Sequence, residues 1–393
     1  MQTAESLRSG GFDGEIVLLG DETAPPYSRP PLSKAYLMGK VEEAQLYLRG
    51  RTALDRNNIA LMTETHVTRI DRAKQSVILA DGRKAPYGHL VLATGARSRT
   101  LTVPGAELEG VVSLRTIKDA REFRRRLAAA ERIVVIGGGF VGLEFAAVAR
   151  QLGKDVTVLE AGNRLMARAV SSAVSDWFLD VHRAEGVRIE LGAAVCEIRG
   201  KEGRCRGVLT TAGEWIDADL IVSAIGAVAN DALAADAGLE TDHGIIVDKD
   251  CRTQDPLIMA IGDCAAVRLS AGGLQRLESV FNAIAQAKVA AAALLNLPAP
   301  TSGTPWFWTD QYGVRLQMVG TSLGQTAVVE RGDKGTGSFS LFYYREDALI
   351  GVDAINRPSD HLLARRLLDS GISPNLEVAA APDSDLPRCS ARS

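Results

Sequence analysis

The sequence has no run of the roughly 18 apolar residues that a bilayer-spanning helix requires. Its longest obvious candidate, Val289–Leu295, is an alanine-rich helical stretch. No basic segment followed by an apolar core opens the chain, so no signal peptide is read and the expected location is the cytoplasm. Neither sign of charge dominates: 45 Lys and Arg face 48 Asp and Glu, a net of −3. No global basic field exists to recruit nucleic acid. Cysteine is sparse. Cys196, Cys205, Cys251, Cys264 and Cys389 form no C-x-x-C or C-x-x-x-x-C pair, which argues against a redox-active disulfide or a thiolate metal site. Most read as small buried hydrophobes. His66, His89, His182, His243 and His361 are scattered without metal-ligand spacing.

What is present centres on Arg132–Glu160. Ile133–Ile136 is an unbroken aliphatic run, as in a strand buried on both faces of a parallel sheet. Gly137, Gly139 and Gly142 follow at G-x-G-x-x-G spacing, then a helical period to Leu152, then a second aliphatic strand ending on Glu160. The first glycine permits a tight turn, the second close approach of a pyrophosphate, and the third close packing of helix on strand. The first N–H groups of the helix attract phosphate, and Glu160 can hydrogen-bond the adenosine ribose hydroxyls. A glycine-rich turn that binds nothing is the bland alternative. Two like charges about 4 Å apart at an effective dielectric near 20 repel by roughly 4 kcal/mol, so Glu160 disfavours a 2′-phosphate and NADH is expected over NADPH.

At 393 residues two or three domains are expected. Met1–Ser9 reads as the latter half of a helix and Glu15–Leu19 as a strand ending on Gly20-Asp21, which repeats the end of the central unit. The first strand and glycine loop of that repeat are missing, and a misassigned start or trimmed coding sequence is the expected reason. Pro25–Lys34 holds four prolines in seven residues, predicting an extended path before a short helix opened by Lys34. Val67–Ile70 and Ser76–Leu79 predict an antiparallel pair. Leu90–Ala93, Leu220–Ala224 and Ile258–Ile261 predict buried strands, and Arg188–Glu197 and Arg206–Thr211 predict two more. Thr116–Asp119 is a capping box, Ser171–Ala184 an amphipathic helix and Glu278–Leu295 a long one. Strands are expected near Gln317–Gly320, Phe339–Tyr344 and Ala348–Val352, and fraying after Leu376.

Six segments carry a family resemblance: Gly20–Lys34 (ending RPPLSK), Leu90–Arg97 (LVLATGAR), Val134–Glu144 (VVIGGGFVGLE), Ala260–Ala265 (AIGDCA), Glu278–Ala287 and Pro305–Gln311 (PWFWTDQ). Together they resemble the NADH-dependent, FAD-containing ferredoxin reductases of the oxygenase and cytochrome P450 electron-transfer type, from Ser6 to about Asn375. The resemblance implies an α/β fold of two interleaved Rossmann-like dinucleotide-binding domains plus a C-terminal α+β interface domain. FAD binding would fall to 1–105 and 227–300, NAD binding to 106–226, and the interface to 301–393.

By the same resemblance, Asp21 would hold the FAD ribose, with Val67, Ala93, Thr94, Gly95 and Arg115 along the adenine and pyrophosphate. Asp263 would meet the ribityl chain, and Lys34, Val280 and Trp308 the isoalloxazine. Gly137, Gly139, Phe140, Gly142, Glu160, Arg168 and Gly226 would serve NADH, with Glu144 where nicotinamide meets flavin, paired with Lys34. Lys34, Glu144 and Trp308 are therefore the implied catalytic residues. Bland alternatives stand beside these: Asp263 as a cap, Glu144 as a charge favoured at a helix start, Trp308 as core.

The implied reaction is hydride transfer from NADH to FAD, then single electrons to a [2Fe-2S] ferredoxin, by a monomer or weak dimer. Lys288, Arg331, Lys334 and Arg357 are the implied basic docking rim. Rubredoxin reductase would share all six motifs. A flavin-free, NAD-binding redox sensor is the non-enzyme alternative. A disulfide or peroxide reductase would need a reactive cysteine in Asp21–Leu46, where none stands.

Overall fold

The computed structural model describes residues 1–270, 272–301 and 303–381. The chain divides into two compact units, one of Met1–Arg29, Val41–Arg97 and Ala227–Ser302, the other of Pro30–Lys40, Ser98–Gly226 and Gly303–Ser393. Residues 30–40, continuous in sequence with the first unit, belong to the second.

In the second unit a five-stranded parallel sheet runs Arg188–Leu191, Asp155–Glu160, Arg132–Ile136, Leu220–Ser223, Val111–Ser113. Ile133, Val134 and Val135 are at most 1% exposed, which explains the absence of polar alternation in the central strand. Helix Phe140–Gln151 lays Ala146, Ala147 and Ala149 on it, small residues that let helix and sheet approach. Helix Ile117–Ala129 starts at a reciprocal cap: Thr116 Oγ1 accepts from the Asp119 N–H at 3.2 Å and the Asp119 carboxylate accepts from the Thr116 N–H at 2.8 Å.

The same unit holds a five-stranded antiparallel sheet in the order Trp306–Gln311, Val314–Gly320, Ala348–Ile355, Ser338–Arg345, Ala327–Asp333. Tyr343, Tyr344, Phe339 and Phe342 are fully buried in it, and helix Pro358–Asp369 covers one face. Strands Trp306–Gln311 and Ala327–Asp333 and helix Pro358–Asp369 have no counterpart among the expected elements. Trp306-Phe307-Trp308 reads apolar on both faces because both are half-buried.

The first unit has two short parallel pairs, Ile16–Leu19 with Ile59–Met62 and Leu90–Leu92 with Ile258–Ala260. An antiparallel meander of Val67–Asp71, Ser76–Leu79 and Lys84–Pro86 joins them, with helices Gln2–Ser9 and Val280–Leu294.

Five local expectations need correction. Pro30–Ser33 is a 3-10 turn rather than extended chain, because proline's fixed φ suits a tight helical turn equally well. The Lys34 and Tyr36 N–H groups both donate to the Pro31 carbonyl, so Lys34 lies in the turns that follow rather than opening a helix. Arg188–Glu197 breaks at Gly192, φ +69°, into Arg188–Leu191 and Val195–Lys201. Helix Val280–Leu294 starts two residues late because Ser279 Oγ accepts from the Asn282 N–H and caps it. Leu376–Ala380 is a capped helix with Ala379 buried, where fraying was expected; the remainder of that expectation, and Cys389, lie outside the described residues.

Candidate dinucleotide and electron-transfer site

Gly137, Glu160 and Gly226 of the second unit, and Asp21, Ala93–Gly95 and Asp263 of the first, stand at or just after the carboxyl ends of parallel strands, where open α/β sheets bind ligands. In the second unit Gly137 follows Arg132–Ile136 with φ +112°, and a Cβ there would stand 2.5 Å from the Ala224 carbonyl oxygen. A Cβ on Gly142 would stand 2.1 Å from the Gly137 oxygen. Both contacts are with backbone and cannot give. Gly139 caps the helix and faces open space, with nothing within 4 Å of an added Cβ. Turn, packing and approach glycines are thus distinct in geometry, and the open one is where a pyrophosphate would come.

Glu160 closes the adjoining strand. Its Oε2 accepts from the Gly138 N–H at 2.6 Å and its Oε1 from the Gly162 N–H at 2.7 Å. These bonds orient the carboxylate and leave it lone pairs for hydroxyl donors. Arg168 is exposed beside Gly226, φ +101°. The Arg115 N–H donates to Asp119 in the helix cap. Phe140 packs on Phe307 with centroids 4.8 Å apart.

Lys34 Nζ lies 2.8 Å from Glu144 Oε1, with the side chains 17% and 5% exposed. Ser33 Oγ donates to Glu144 Oε2 at 2.6 Å and Thr309 Oγ1 to Oε1 at 2.7 Å. Glu144 is therefore bound by three donors, more than a charge simply favoured at a helix start would need. Trp308 is half-buried beside Trp306, 5.4 Å between centroids, and is not core. Along Trp306–Gln311 alternate residues point oppositely, so Thr309 and Gln311 share the face away from Trp308. Ser33 and Thr309 lie inside two of the six motifs, but sequence reasoning gives them no role; a hydroxyl leaves no trace in hydrophobic period.

In the first unit Asp21 follows Ile16–Leu19 and is 70% exposed, with His66 Nδ1 at 3.9 Å. Ala93 and Thr94 follow Leu90–Leu92 and are exposed; Thr94 Oγ1 donates to the Asn230 carbonyl, and Gly95 has φ +67°. Asp263 follows Ile258–Ala260 after Gly262, φ +73°, whose N–H donates to buried Gln286 Oε1 at 2.6 Å. Val280 opens its helix 40% exposed, and Val67 begins the meander half-buried. A carboxylate at one strand end, open backbone at a second and a second carboxylate at a third suit the ribose, phosphate and polyol parts of FAD.

Among the described residues no cysteine is placed for thiol chemistry at this site. Burial raises the Cys205 and Cys264 thiols and pushes Cys251 up to about 12, while the Cys196 thiol donates to strand carbonyls. No group of three metal-ligating side chains occurs among the described residues. No helix among them is long and apolar enough to cross a membrane.

A family model described as pyridine nucleotide-disulphide oxidoreductase matches residues 1–287, and one described as reductase C-terminal matches 306–390. The chain belongs to the pyridine nucleotide-disulphide oxidoreductase family. It is 46% identical to rhodocoxin reductase of Rhodococcus erythropolis over 392 residues, spanning 100% of this chain and 92% of the relative. It resembles the ferredoxin reductase for the CYP199A2 system from Rhodopseudomonas palustris at TM-score 0.95 and 42% identity, over 99% of this chain and 96% of that one. It also resembles the covalent putidaredoxin reductase–putidaredoxin complex at TM-score 0.94 and 39% identity, over 98% and 94%.

The fold is therefore that of a two-Rossmann-domain FAD and NAD(H) reductase with a C-terminal α+β domain, and the chain is an FAD-dependent oxidoreductase.

One docking expectation is overturned. Arg331 is 4% exposed, with Nε 3.5 Å from Asp360 and bonds to the Ala379 and Ala381 carbonyls. The alternation of Ala327–Asp333 turns it inward, where Asp360 balances it, so it is no part of a rim. Arg357 also pairs with Asp360, at 2.5 Å, and Lys334 with Glu330, at 2.7 Å. Lys288 is exposed on its helix.

Proposed function

We propose that the chain is an NADH:ferredoxin oxidoreductase serving a [2Fe-2S] ferredoxin, and through it a cytochrome P450 or Rieske oxygenase, in the cytoplasm. The observation that carries this reading is what replaces a thiol. Asp21–Leu46 holds Lys34 ion-paired to Glu144 and no cysteine, so electrons cannot be stored on a protein disulfide and must leave to a separate carrier. Bound FAD supplies two-electron acceptance from NADH and one-electron release.

The chain's own residues bind, orient and exclude. Residues 1–105 and 227–300 take FAD, with Asp21 on the ribose, the open backbone of Ala93–Gly95 toward the phosphates and Asp263 on the polyol. Residues 106–226 take NADH between Gly139 and Glu160. Residues 301–393 form the carrier interface. Lys34 and Glu144 hold the nicotinamide end in place as a charge-balanced pair, and Trp308 shields it from water.

The purified protein should be yellow and lose its flavin absorbance on adding NADH. A [2Fe-2S] ferredoxin should restore the colour faster than a rubredoxin does. A colourless folded protein ends the reading, and faster reoxidation by rubredoxin replaces the carrier. Lys288→Glu should slow ferredoxin reduction about tenfold at low salt while NADH–ferricyanide turnover holds. An equal fall in both removes Lys288 from the docking surface.

A further inference from the structure

Behind Glu144 a chain of buried polar side chains runs away from the ion pair. Thr309 Oγ1 lies 2.7 Å from Glu144 Oε1, and Gln311 Nε2 lies 3.2 Å from Thr309 Oγ1. His182 Nε2 lies 2.7 Å from Gln311 Oε1, and Tyr312 OH lies 3.3 Å from His182 Nδ1. Thr309, Gln311 and His182 are each at most 1% exposed. They come from strand Trp306–Gln311 and helix Ser172–Ala184, and nothing in the dinucleotide reading uses Gln311, His182 or Tyr312.

The direction of every bond follows from its Glu144 end. A carboxylate only accepts, so the single Thr309 hydroxyl proton goes to Glu144. Thr309 Oγ1 can then only accept from Gln311, which must present its NH2. The Gln311 carbonyl therefore faces His182, which must donate from Nε2. Burial lowers His182 to about 4, so near neutrality the ring has one N–H, and Nδ1 is left to accept from Tyr312. Four dipoles align head to tail toward one carboxylate, an arrangement in which each bond polarises the next.

The far end is built at a conformational cost. Tyr312 and Gly313 form the two-residue turn between Trp306–Gln311 and Val314–Gly320, with φ +54° and +82°. Glycine and asparagine are the usual residues there, and a tyrosine is out of pattern. Its ring stacks edge-on to His182, centroids 5.0 Å apart, and its hydroxyl supplies the last donor.

We infer that the Tyr312–His182–Gln311–Thr309 chain is a positioning relay that fixes the rotamer of Glu144, and so the Lys34–Glu144 pair, for the hydride step. The inference rests on the proposed role of that pair. His182 and Gln311 are sealed from solvent, so any influence they have on a bound nucleotide would pass through Thr309 and Glu144.

The test is a double-mutant cycle on the flavin-loaded protein, with Gln311→Leu and Glu144→Gln singly and together. Stopped-flow hydride transfer and NAD+ affinity would both be measured. Gln311→Leu should slow the hydride step about tenfold with affinity unchanged, and should add less than twofold in the Glu144→Gln background. Equal effects in both backgrounds overturn the relay while leaving the pair's role intact. A Glu144→Gln protein with the wild-type rate sinks the pair's role and the relay with it.

A readout independent of turnover is the 15N spectrum of His182, assigned with His182→Asn. The wild type should show the Nε2–H tautomer at pH 7, and Gln311→Leu should lose it; an Nδ1–H tautomer in the wild type refutes the chain's direction. If Gln311→Leu fails to fold, Tyr312→Phe removes only the terminal hydroxyl. It should leave the Nε2–H tautomer in place, because the Gln311 carbonyl still accepts from it, and slow hydride transfer about threefold; an unchanged rate overturns the relay.

Discussion

The ammonium of Lys34 and the carboxylate of Glu144 stand 2.8 Å apart, brought together from positions 110 residues distant in the chain and both largely withdrawn from water. Such a pair is held by mutual compensation: removing one member strands the other charge, a loss of about 3–5 kcal/mol, whereas replacing both by apolar groups is often neutral.

Lys34→Met alone should therefore lower unfolding stability by about 3 kcal/mol, partly relieved by the Ser33 and Thr309 donors. Lys34→Met with Glu144→Leu should recover most of it. Chemical denaturation of the three proteins checks this; a single mutant as stable as wild type would mean that the pair is already solvated.

The three loop glycines should separate by phenotype. Gly142→Ala and Gly137→Ala drive a methyl into backbone oxygen at 2.1 and 2.5 Å and should lose several kcal/mol of stability, in the range of severe overpacking. Gly139→Ala meets nothing in the protein and should melt normally while losing NADH affinity, read by fluorescence titration. Normal NADH binding by Gly139→Ala would move the pyrophosphate elsewhere.

NADH should be preferred over NADPH, and Glu160→Ala should narrow the ratio of their kcat/KM values by removing the charge that repels a 2′-phosphate. Because Glu160 also accepts from the Gly138 and Gly162 N–H groups, the variant should lose some NADH affinity as well. A ratio unchanged by the substitution would shift selection to another residue, Arg168 being the nearest cation by Gly226.

Stability against pH should reveal a buried carboxyl. Asp353, 5% exposed and accepting from Tyr343 OH at 2.7 Å, is pushed up to about 7 by burial. Between its unfolded value and about pH 7 the folded state holds the extra proton, so Asp353 makes stability fall as pH rises. Burial lowers His182 and His361 to about 4. There the unfolded state holds the extra protons, and each makes stability rise from about pH 4 to 6.5. Each group contributes a slope of about 1.4 kcal/mol per pH unit, two rising against one falling. Asp353→Asn should therefore steepen the rise between pH 4.5 and 6 by about 1.4 kcal/mol per unit. An unaltered slope would mean that Asp353 titrates normally.

Local grammar made much of this protein legible in one dimension. The strand–glycine–helix–strand–acid order of Arg132–Glu160 states its own turn, packing and ligand chemistry, because each requirement is met within a few neighbouring residues. Thr116–Asp119 names its own cap for the same reason. The relay from Tyr312 to Glu144 could not be read that way. Hydrogen bonds between side chains leave no period, and His182, Gln311 and Thr309 look like ordinary polar residues until helix and strand are packed. Arg331 shows the reverse error: a charge between Glu330 and Asp333 reads as surface until Asp360 is found beside it. Short-range conformational preference is written in adjacent residues, whereas the pairing of buried charges and donors is decided only when distant segments exclude water together.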